Sequence, residues 1–403
     1  ISVAIIHKEI NLRIFANYTQ GVYPRMNYGT SHYFKNSKID FFVNYSYTNQ
    51  KINRKNLEEV RFSSQDWVTD FNRNTRSETH NVGFNFDYKT SAKSVLSLSG
   101  NLQFLPYFDY QTLGESSIVG NSIFDEMQSN NLSKDDKSNI GLDLDYKYHL
   151  SDNSSLSING HYTNYDYSRN QTVFNSYFLN NSFNETTAFK TLADQDTDIF
   201  TSKIDFNSAL GAHSEFELGA KLSLVNTNSG INHYDIISGL EVLNTQNTNV
   251  FDYEEQVYAG YLNYNYSKEK VSLTFGLRAE QTNIEGLSVN EINTQDYLKW
   301  FPNASFNYDV SDNFSAYVNY KKSIQRPNYS NLNPFIFYLN DNNIVTGNPD
   351  LKPVIIDHYL VGTTLFEKFT IEAYYKTYSD NIFELPIQDN NTNIISYTPL
   401  NIK

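Results

Sequence analysis

The sequence predicts an all-β fold, namely a transmembrane antiparallel β-barrel. Three observations point to it: apolar and polar residues alternate along about fifteen segments, short and long connections alternate between them, and a polar composition is combined with many aromatic residues. The 403 residues include 32 Tyr and 28 Phe, whereas only 39% are hydrophobic. Disordered chains have few aromatic residues, and a large dry core needs a higher apolar fraction. A sheet with one face in lipid and the other in water accounts for both the many aromatic residues and the low apolar fraction.

The alternation is clearest in residues 140–150, where apolar side chains occupy the even positions and glycine or charged residues the odd ones. Successive side chains of a strand point to opposite faces, so this segment predicts a strand with one apolar and one polar face. The predicted strands are residues 12–18, 26–34, 39–47, 82–88, 94–104, 139–150, 155–166, 198–208, 214–226, 256–266, 271–283, 300–310, 314–325, 357–366 and 369–379. Most reach the ~9–11 residues that a tilted strand needs to cross a bilayer.

The connections between these segments alternate in length. Short polar turns are predicted at residues 35–38, 89–93, 151–154, 209–213, 267–270, 311–313 and 367–368. Long connections are predicted at residues 48–81, 105–138, 167–197, 227–255, 284–299 and 326–356. Tight turns on one rim and long loops on the other are typical of outer-membrane barrels. Aromatic residues that precede the short turns, such as Tyr148 and Tyr266, predict a girdle at the membrane boundary.

The alternation also predicts which face of each strand meets lipid. The residues expected to face hydrocarbon are Leu142, Leu144, Leu273, Phe275 and Ile371. Those expected to face the lumen are Asp143, Asp145, Thr274, Arg278 and Glu372. A charge on the lipid face at mid-bilayer costs ~2–4 kcal/mol, and a shift of one residue would exchange the two faces.

Composition excludes several classes of protein. The formal net charge of −14 argues against nucleic acid as a partner, because phosphates need a basic surface. The absence of cysteine excludes disulfides and thiolate metal sites.

The number of predicted strands, fifteen, is odd, whereas single-chain bacterial barrels have an even number of strands. We therefore expect the chain to be a piece of a longer polypeptide.

One loop carries three ordered motifs: Ser-Ile-Gln-Arg-Pro at 323–327, Leu-Asn-Pro-Phe at 332–335, and Gly-Asn-Pro-Asp-Leu-Lys-Pro at 347–353. This series resembles the barrel region of TonB-dependent receptors. The resemblance implies a 22-stranded barrel, an N-terminal plug and uptake powered by the TonB complex. Residues 1–8 resemble the segment where the plug of that family leads into the first strand. We accordingly expect residues 1–10 to include the end of a plug or the first strand, and residues 11–403 to form an outer-membrane barrel incomplete at its C-terminus.

The leading hypothesis is a receptor in the bacterial outer membrane that captures a ligand with long extracellular loops and imports it through a plugged barrel. The alternatives are a passive porin-like channel and a barrel enzyme with catalytic residues on its rim. No enzyme activity, cofactor or metal is expected, because the eight histidines are scattered and no nucleophile motif is present. The expected partners are outer-membrane lipid, the TonB complex by resemblance, a small ligand, glycan or peptide, and a surface lipoprotein.

Ligand contact is predicted in the motif-bearing loop, where aromatic rings and amides could combine stacking with hydrogen bonding. The candidate residues are Arg326, Asn333, Phe335, Tyr338 and Asn348. The Arg326 guanidinium could reach an anionic group of a ligand, but a stabilising contact with a plug or the barrel wall is the favoured interpretation. The acidic tracts 194–198 and 340–343 offer oxygen ligands suited to Ca²⁺, but solvated loops are the favoured interpretation.

Overall fold

The computed structural model describes residues 9–289, 291–340 and 342–402. Fifteen strands follow one another as antiparallel neighbours in one continuous sheet, which confirms the predicted fold class. They are β1 (Glu9–Gln20), β2 (Pro24–Lys35), β3 (Ile39–Arg61), β4 (Asp66–Ser91), β5 (Ser94–Val119), β6 (Glu126–Ser151), β7 (Ser154–Leu179), β8 (Ser182–Ala209), β9 (Ser214–Ile237), β11 (Asn249–Lys268), β12 (Val271–Ser288), β13 (Glu291–Ser311), β14 (Phe314–Gln325), β17 (Val354–Leu365) and β18 (Phe369–Ser379). The short strand β10 (Leu240–Leu243) pairs with the end of β9.

Each predicted segment corresponds to one of these fifteen strands, and each predicted short turn lies between two of them. Within the described residues, β1 and β18 remain at the two edges of the sheet, so the barrel is not closed. No helix in the described part of the chain is long and apolar enough to span a membrane. The segment 1–8, expected to lead from a plug, lies outside the described residues, and the division at residue 10 stays a prediction.

The predicted long connections are the main correction. Five of the six continue as strands, and the true connections there are as short as residues 62–65, 120–125 and 180–181. The physical reason is that hydrophobic alternation records contact with lipid. Where a strand rises beyond the bilayer, both of its faces meet water or polar protein, so the alternation fades while the backbone ladder continues. Of the six, only the last forms a long connection within the residues that the structure describes, at 326–353, and it contains short elements of its own.

The barrel wall is tall on one side and low on the other. Strands β4 to β8 have 26 to 28 residues, whereas β1, β2, β14 and β17 have 12. At ~3.3 Å per residue and a tilt of ~40°, a strand of about 26 residues rises roughly 65 Å. The apolar band of a barrel is about 25 Å tall. The tall wall therefore extends on the order of 40 Å beyond the membrane on the side away from the short turns.

A second, four-stranded sheet lies against the inner face of this wall. Its strands are β15 (Phe337–Asn340), β16 (Asn343–Val345), β19 (Asn381–Asp389) and β20 (Ile394–Ile402), in the order β15-β16-β20-β19. The helix α1 (Tyr329–Leu332) precedes it in the connection that follows β14. We call this assembly, residues 326–353 with 381–402, the inner cap. It starts from the low strand β14 and reaches across to β3, where Tyr397 donates to Glu58 at 2.7 Å.

The faces of the strands follow the predicted alternation. In β6, Asn131 contacts the inner cap by donating to the carbonyl of Leu339 at 3.3 Å. The pairing of β6 with β7 runs without a register shift from Glu126 to His149, so Asp143 and Asp145 share the inner face with Asn131. Leu144 points outward and is 51% exposed, as are Phe275 at 51% and Ile371 at 62% on their own strands.

Candidate functional site

The inner cap is tied to the barrel wall where it begins. The Arg326 guanidinium donates through Nη2 to Glu280 Oε2 at 2.7 Å and to Thr282 Oγ1 at 2.9 Å. Its Nε lies 3.8 Å from Glu255 Oε1. All three partners belong to the neighbouring strands β11 and β12. Arg326 therefore anchors the start of the connection to the inner face, which is the contact with the barrel wall favoured as its role.

Asparagine side chains and one glycine fix the shape of the cap. Asn328 caps helix α1 by accepting from the backbone N–H of Asn331 at 2.9 Å. Asn333 Oδ1 accepts from the backbone N–H of Phe335 at 2.9 Å. A Cβ on residue 347 would collide with the backbone carbonyls of Asn331 and Asn333, so this close approach requires Gly347.

Two apolar clusters hold the cap in the lumen. Phe335 is 2% exposed and packs with Leu332 and Leu351 of the cap against Ile231 and Phe251 of the wall. The second cluster joins Ile395 of β20 to wall residues at the outer ends of the tall strands, namely Phe62, Trp67, Ile118, Met127 and Tyr177. Burial of such apolar area stabilises contacts by about 25 cal/mol per Å². The cap is therefore a packed unit of the fold.

Tyr338 lies where the cap meets strands β8 and β9. Its ring centroid is 5.3 Å from those of Phe189 and His233. Its hydroxyl accepts from Asn247 Nδ2 at 3.1 Å, and its carbonyl accepts from Gln171 Nε2 at 3.4 Å. Burial lowers the pKa of His233 below its usual range, although Asp235 beside it acts in the opposite direction.

The structure thus gathers the five predicted ligand-binding residues into the inner cap. Asn348 donates to the carbonyl of Pro399 at 3.1 Å, so it holds the connection against strand β20. Arg326, Asn333 and Phe335 likewise contact other parts of the protein. Tyr338 is half-buried at the edge of the cap. Ligand binding by these five residues stays a prediction, and each also has a contact that stabilises the cap.

Beneath the cap, the inner face of the tall wall carries a group of cations backed by aromatic rings. We call Arg54, Arg73, Lys137 and Arg169 the cationic patch. Arg73 lies 4.0 Å and Arg169 5.6 Å from the Tyr110 ring centroid. Lys137 lies 4.5 Å from the centroid of Phe108 and 5.1 Å from that of Tyr167. Cations placed over ring faces in this way are held electrostatically.

One buried carboxylate belongs to the patch. The side chain of Asp135 is fully buried and accepts two hydrogen bonds from Arg169, both at 2.9 Å. Lys137 Nζ lies 3.2 Å from the same carboxylate. Burial alone would raise the pKa of Asp135, but the hydrogen bonds and positive charge of Arg169 and Lys137 outweigh it and hold the pKa below its usual range.

The sequence reasoning missed this patch because it assigned residues 48–81, 105–138 and 167–197 to loops. Extending the alternation of β6 past Asn139 would have placed Lys137 and Asp135 on the lumen face. In β5, however, the pairing shifts between Leu105 and Phe108, around Pro106. A bulge there exchanges the two faces of the strand, so the inward position of Phe108 was hidden from simple alternation.

The acidic tract 194–198 lies within strand β8 and not in a loop. Asp198 accepts hydrogen bonds from Tyr162 at 2.5 Å and from Asn164 at 3.1 Å. In the described part of the chain, no group of three or more His, Asp or Glu side chains is arranged to hold a metal ion. Of the tract 340–343, Asp341 lies outside the described residues.

Comparison with known families agrees with this geometry. The family model described as the outer membrane protein beta-barrel family matches residues 148–403. The chain belongs to this family. It is accordingly a protein of the bacterial outer membrane, as the sequence predicted. Among curated protein sequences, none matches the chain.

Several solved structures share the fold. The copper transporter OprC has a TM-score of 0.60 and 11% identity, with 98% of this chain and 56% of OprC covered. The alcaligin outer-membrane receptor FauA from Bordetella pertussis has a TM-score of 0.50 and 13% identity, with 98% and 55% covered. The ferric yersiniabactin uptake receptor FyuA from Yersinia pestis has a TM-score of 0.52 and 10% identity, with 96% and 56% covered. The chain therefore spans a little over half the length of these proteins, and the likeness shows the fold.

Proposed function

We propose that this chain is the barrel part of a TonB-dependent outer-membrane receptor, which captures a ligand outside the cell and imports it through a plugged barrel. The observation that carries the proposal is the inner cap. Its connection bears the three motifs that resemble this family, and it folds into the lumen on two apolar clusters. An inward-folded cap suits a barrel that opens only when its contents rearrange.

The comparison with solved structures also supports a receptor or transporter. The three solved structures with the same fold are those of a transporter and two receptors. Under this proposal, the complete polypeptide carries a plug of roughly domain size, which engages the TonB complex in the periplasm. The capture surface is the inner face of the tall wall together with the cap, in place of the long extracellular loops that the sequence predicted. A surface lipoprotein remains a proposed partner.

Single-channel recording of the complete protein in planar bilayers tests the proposal. A TonB-dependent receptor is expected to be closed, with no steady conductance until the lumen is perturbed by denaturant. A passive porin, the alternative function, conducts steadily without any treatment. Steady ohmic conductance of the untreated protein, unchanged on adding denaturant, would reject the receptor in favour of the porin.

One arrangement bears on the enzyme alternative. On the inner face, His161 Nδ1 lies 2.7 Å from Asp143 Oδ1, and its Nε2 lies 2.8 Å from Thr163 Oγ1. A carboxylate beside one imidazole nitrogen and a hydroxyl beside the other are the contacts made in a catalytic triad. Acyl transfer also needs free N–H donors for the oxyanion, whereas the strands here are paired in register through these positions. We therefore propose that Asp143, His161 and Thr163 form a polar network in the lumen and not a catalytic site. Ester or peptide hydrolysis that is lost in His161→Ala would instead support an enzyme.

A further inference from the structure

The cationic patch carries more positive charge than its surroundings neutralise. Of its four cations, Arg169 and Lys137 contact one carboxylate, Asp135, which already accepts both hydrogen bonds that Arg169 donates to it. No carboxylate in the described part of the chain lies within ion-pair distance of Arg54 or Arg73. The excess is three positive charges on one lumen surface of a chain whose net charge is −14.

The positions of Arg54 and Arg73 bring two of these unpaired positive charges next to each other. The two residues are direct cross-strand partners of β3 and β4. Like charges directly opposite each other destabilise a sheet. The Nε of Arg73 is also buried without a hydrogen-bond partner, and a buried donor without a partner costs free energy. The repulsion between the two guanidinium groups is removed if an anion lies between them.

A second group of charges on the same lumen face shows that such an excess is not general. At the start of the inner cap, Arg326 and Arg278 contact the carboxylates of Glu280 and Glu255. At that site two cations are balanced by two carboxylates. The chain thus neutralises its lumen arginines at one site, whereas at the other it leaves Arg54 and Arg73 without a carboxylate in ion-pair distance.

From these contacts we infer that the cationic patch is a binding site for a small ligand with several oxyanion groups, such as carboxylates, phosphates or sulfates. Stacking on Tyr110 fixes the guanidinium plane of Arg73 and leaves its edge donors free for a bidentate contact. The site lies on the lumen face above the membrane band, so lipid headgroups do not reach it. The inference names the ligand class for the proposed receptor and therefore rests on that function.

The experiment uses the complete protein in detergent and a fluorescent trianion, 8-aminopyrene-1,3,6-trisulfonate, with binding followed by anisotropy. Inorganic pyrophosphate serves as an oxyanion competitor and glucose as a neutral one. The test variant is the double substitution Arg54→Gln and Arg73→Gln. We expect its affinity for the probe to fall at least about ten-fold, because two charge-assisted contacts are lost. Pyrophosphate should displace the probe from the unmodified protein, and glucose should not.

The chain offers a matched control three residues away. Lys51 and Arg76 are also direct cross-strand partners of β3 and β4, but they point to the opposite face, where they lie over Tyr23 and Tyr107. Lys51→Gln with Arg76→Gln removes the same charge from the same strands. Its affinity should stay within about two-fold of the original, because distant exposed charges are screened by salt.

Equal losses in the two double variants would mean a diffuse field and would overturn the site. Absence of probe binding to the unmodified protein at 150 mM salt, an ionic strength chosen for its Debye length of about 8 Å, would also overturn it. The double variant is replaced by Arg54→Gln alone if it fails to fold, as judged by heat-modifiable mobility, since Arg54 is exposed. Binding is measured without any energy source. A protein that binds the probe but conducts steadily would reject the receptor proposal and leave the anion site intact.

Discussion

Substituting the neighbouring residues Phe275 and Thr274 by arginine separates the lipid face of the barrel from its lumen face. Phe275 lies five residues beyond Lys270, the last residue of the turn that precedes β12. At ~3.3 Å per residue and a tilt of ~40°, it lies about 13 Å above that turn, near the middle of an apolar band about 25 Å tall. Its side chain points outward and is 51% exposed. Phe275→Arg therefore places a charge at mid-bilayer.

The expected cost has two parts. An arginine at the bilayer midplane costs ~2–4 kcal/mol, and removing the half of the Phe275 surface that meets lipid costs about 1 kcal/mol more. The sum, ~3–5 kcal/mol, is a large part of the ~5–15 kcal/mol that stabilises a typical folded protein. Thr274 has the polar residues Asn265 and Ser305 as its cross-strand neighbours. Thr274→Arg therefore stays in a wet lumen and should change stability by less than about 1 kcal/mol.

The assay is refolding from urea into phospholipid vesicles, with the folded fraction read from heat-modifiable mobility and the stability from the urea midpoint. Phe275→Arg should lower both, whereas Phe275→Leu, which keeps an apolar side chain at the same depth, should lower neither by much. Damage from Thr274→Arg together with a harmless Phe275→Arg would mean that the faces are inverted. The lipid-facing interpretation of every strand would then fail.

Three further predictions concern the outer part of the lumen. Asp135→Asn removes the buried carboxylate that is the counter-ion of the half-buried Arg169 and should cost on the order of 3 kcal/mol in urea unfolding, whereas the exposed neighbour Asp136→Asn should cost almost nothing. Arg326→Gln releases the anchor of the inner cap, so limited proteolysis within residues 326–353 should become at least several-fold faster while the barrel stays intact. Because burial holds the pKa of His233 below 6.5, the folded state binds fewer protons there than the unfolded state. The stability of the cap should fall as pH drops below 6.5, and His233→Phe should remove that dependence in proteolysis at pH 5 and pH 7.5.

The sequence could predict the part of the fold that lies in the membrane, because each side chain there contacts either lipid or water. In β12 the alternation through Phe275 and Thr274 is imposed by lipid on one side and water on the other, so face, strand and turn can all be derived from it. The same reasoning fails above the bilayer. The outer half of β6 contains Ser129, Asn131 and Ser133 on the face that meets the inner cap, and a row of small polar residues does not differ from a loop in composition.

The inner cap was beyond prediction for a different reason. Its position depends on contacts between residues that are far apart in the chain, such as the bond from Tyr397 to Glu58. Neither residue carries a local signal of that pairing. The motifs around Arg326 and Gly347 did mark the connection as special, and a structural role was the favoured interpretation for both residues. In the structure their polar atoms fix the shape of the connection and hold it against the wall.

The cationic patch shows how a single backbone irregularity limits this kind of reasoning. Strict alternation from Leu102, which faces lipid in β5, would place Phe108 and Tyr110 on the outer side as well. The shift in pairing between Leu105 and Phe108 turns both rings inward, beside Arg73. Proline has no N–H for the ladder and is tolerated in strands at such irregularities, so Pro106 was the one local sign. Its consequence is specific: the bulge turns Tyr110 inward, and this is the ring over which the Arg73 guanidinium lies.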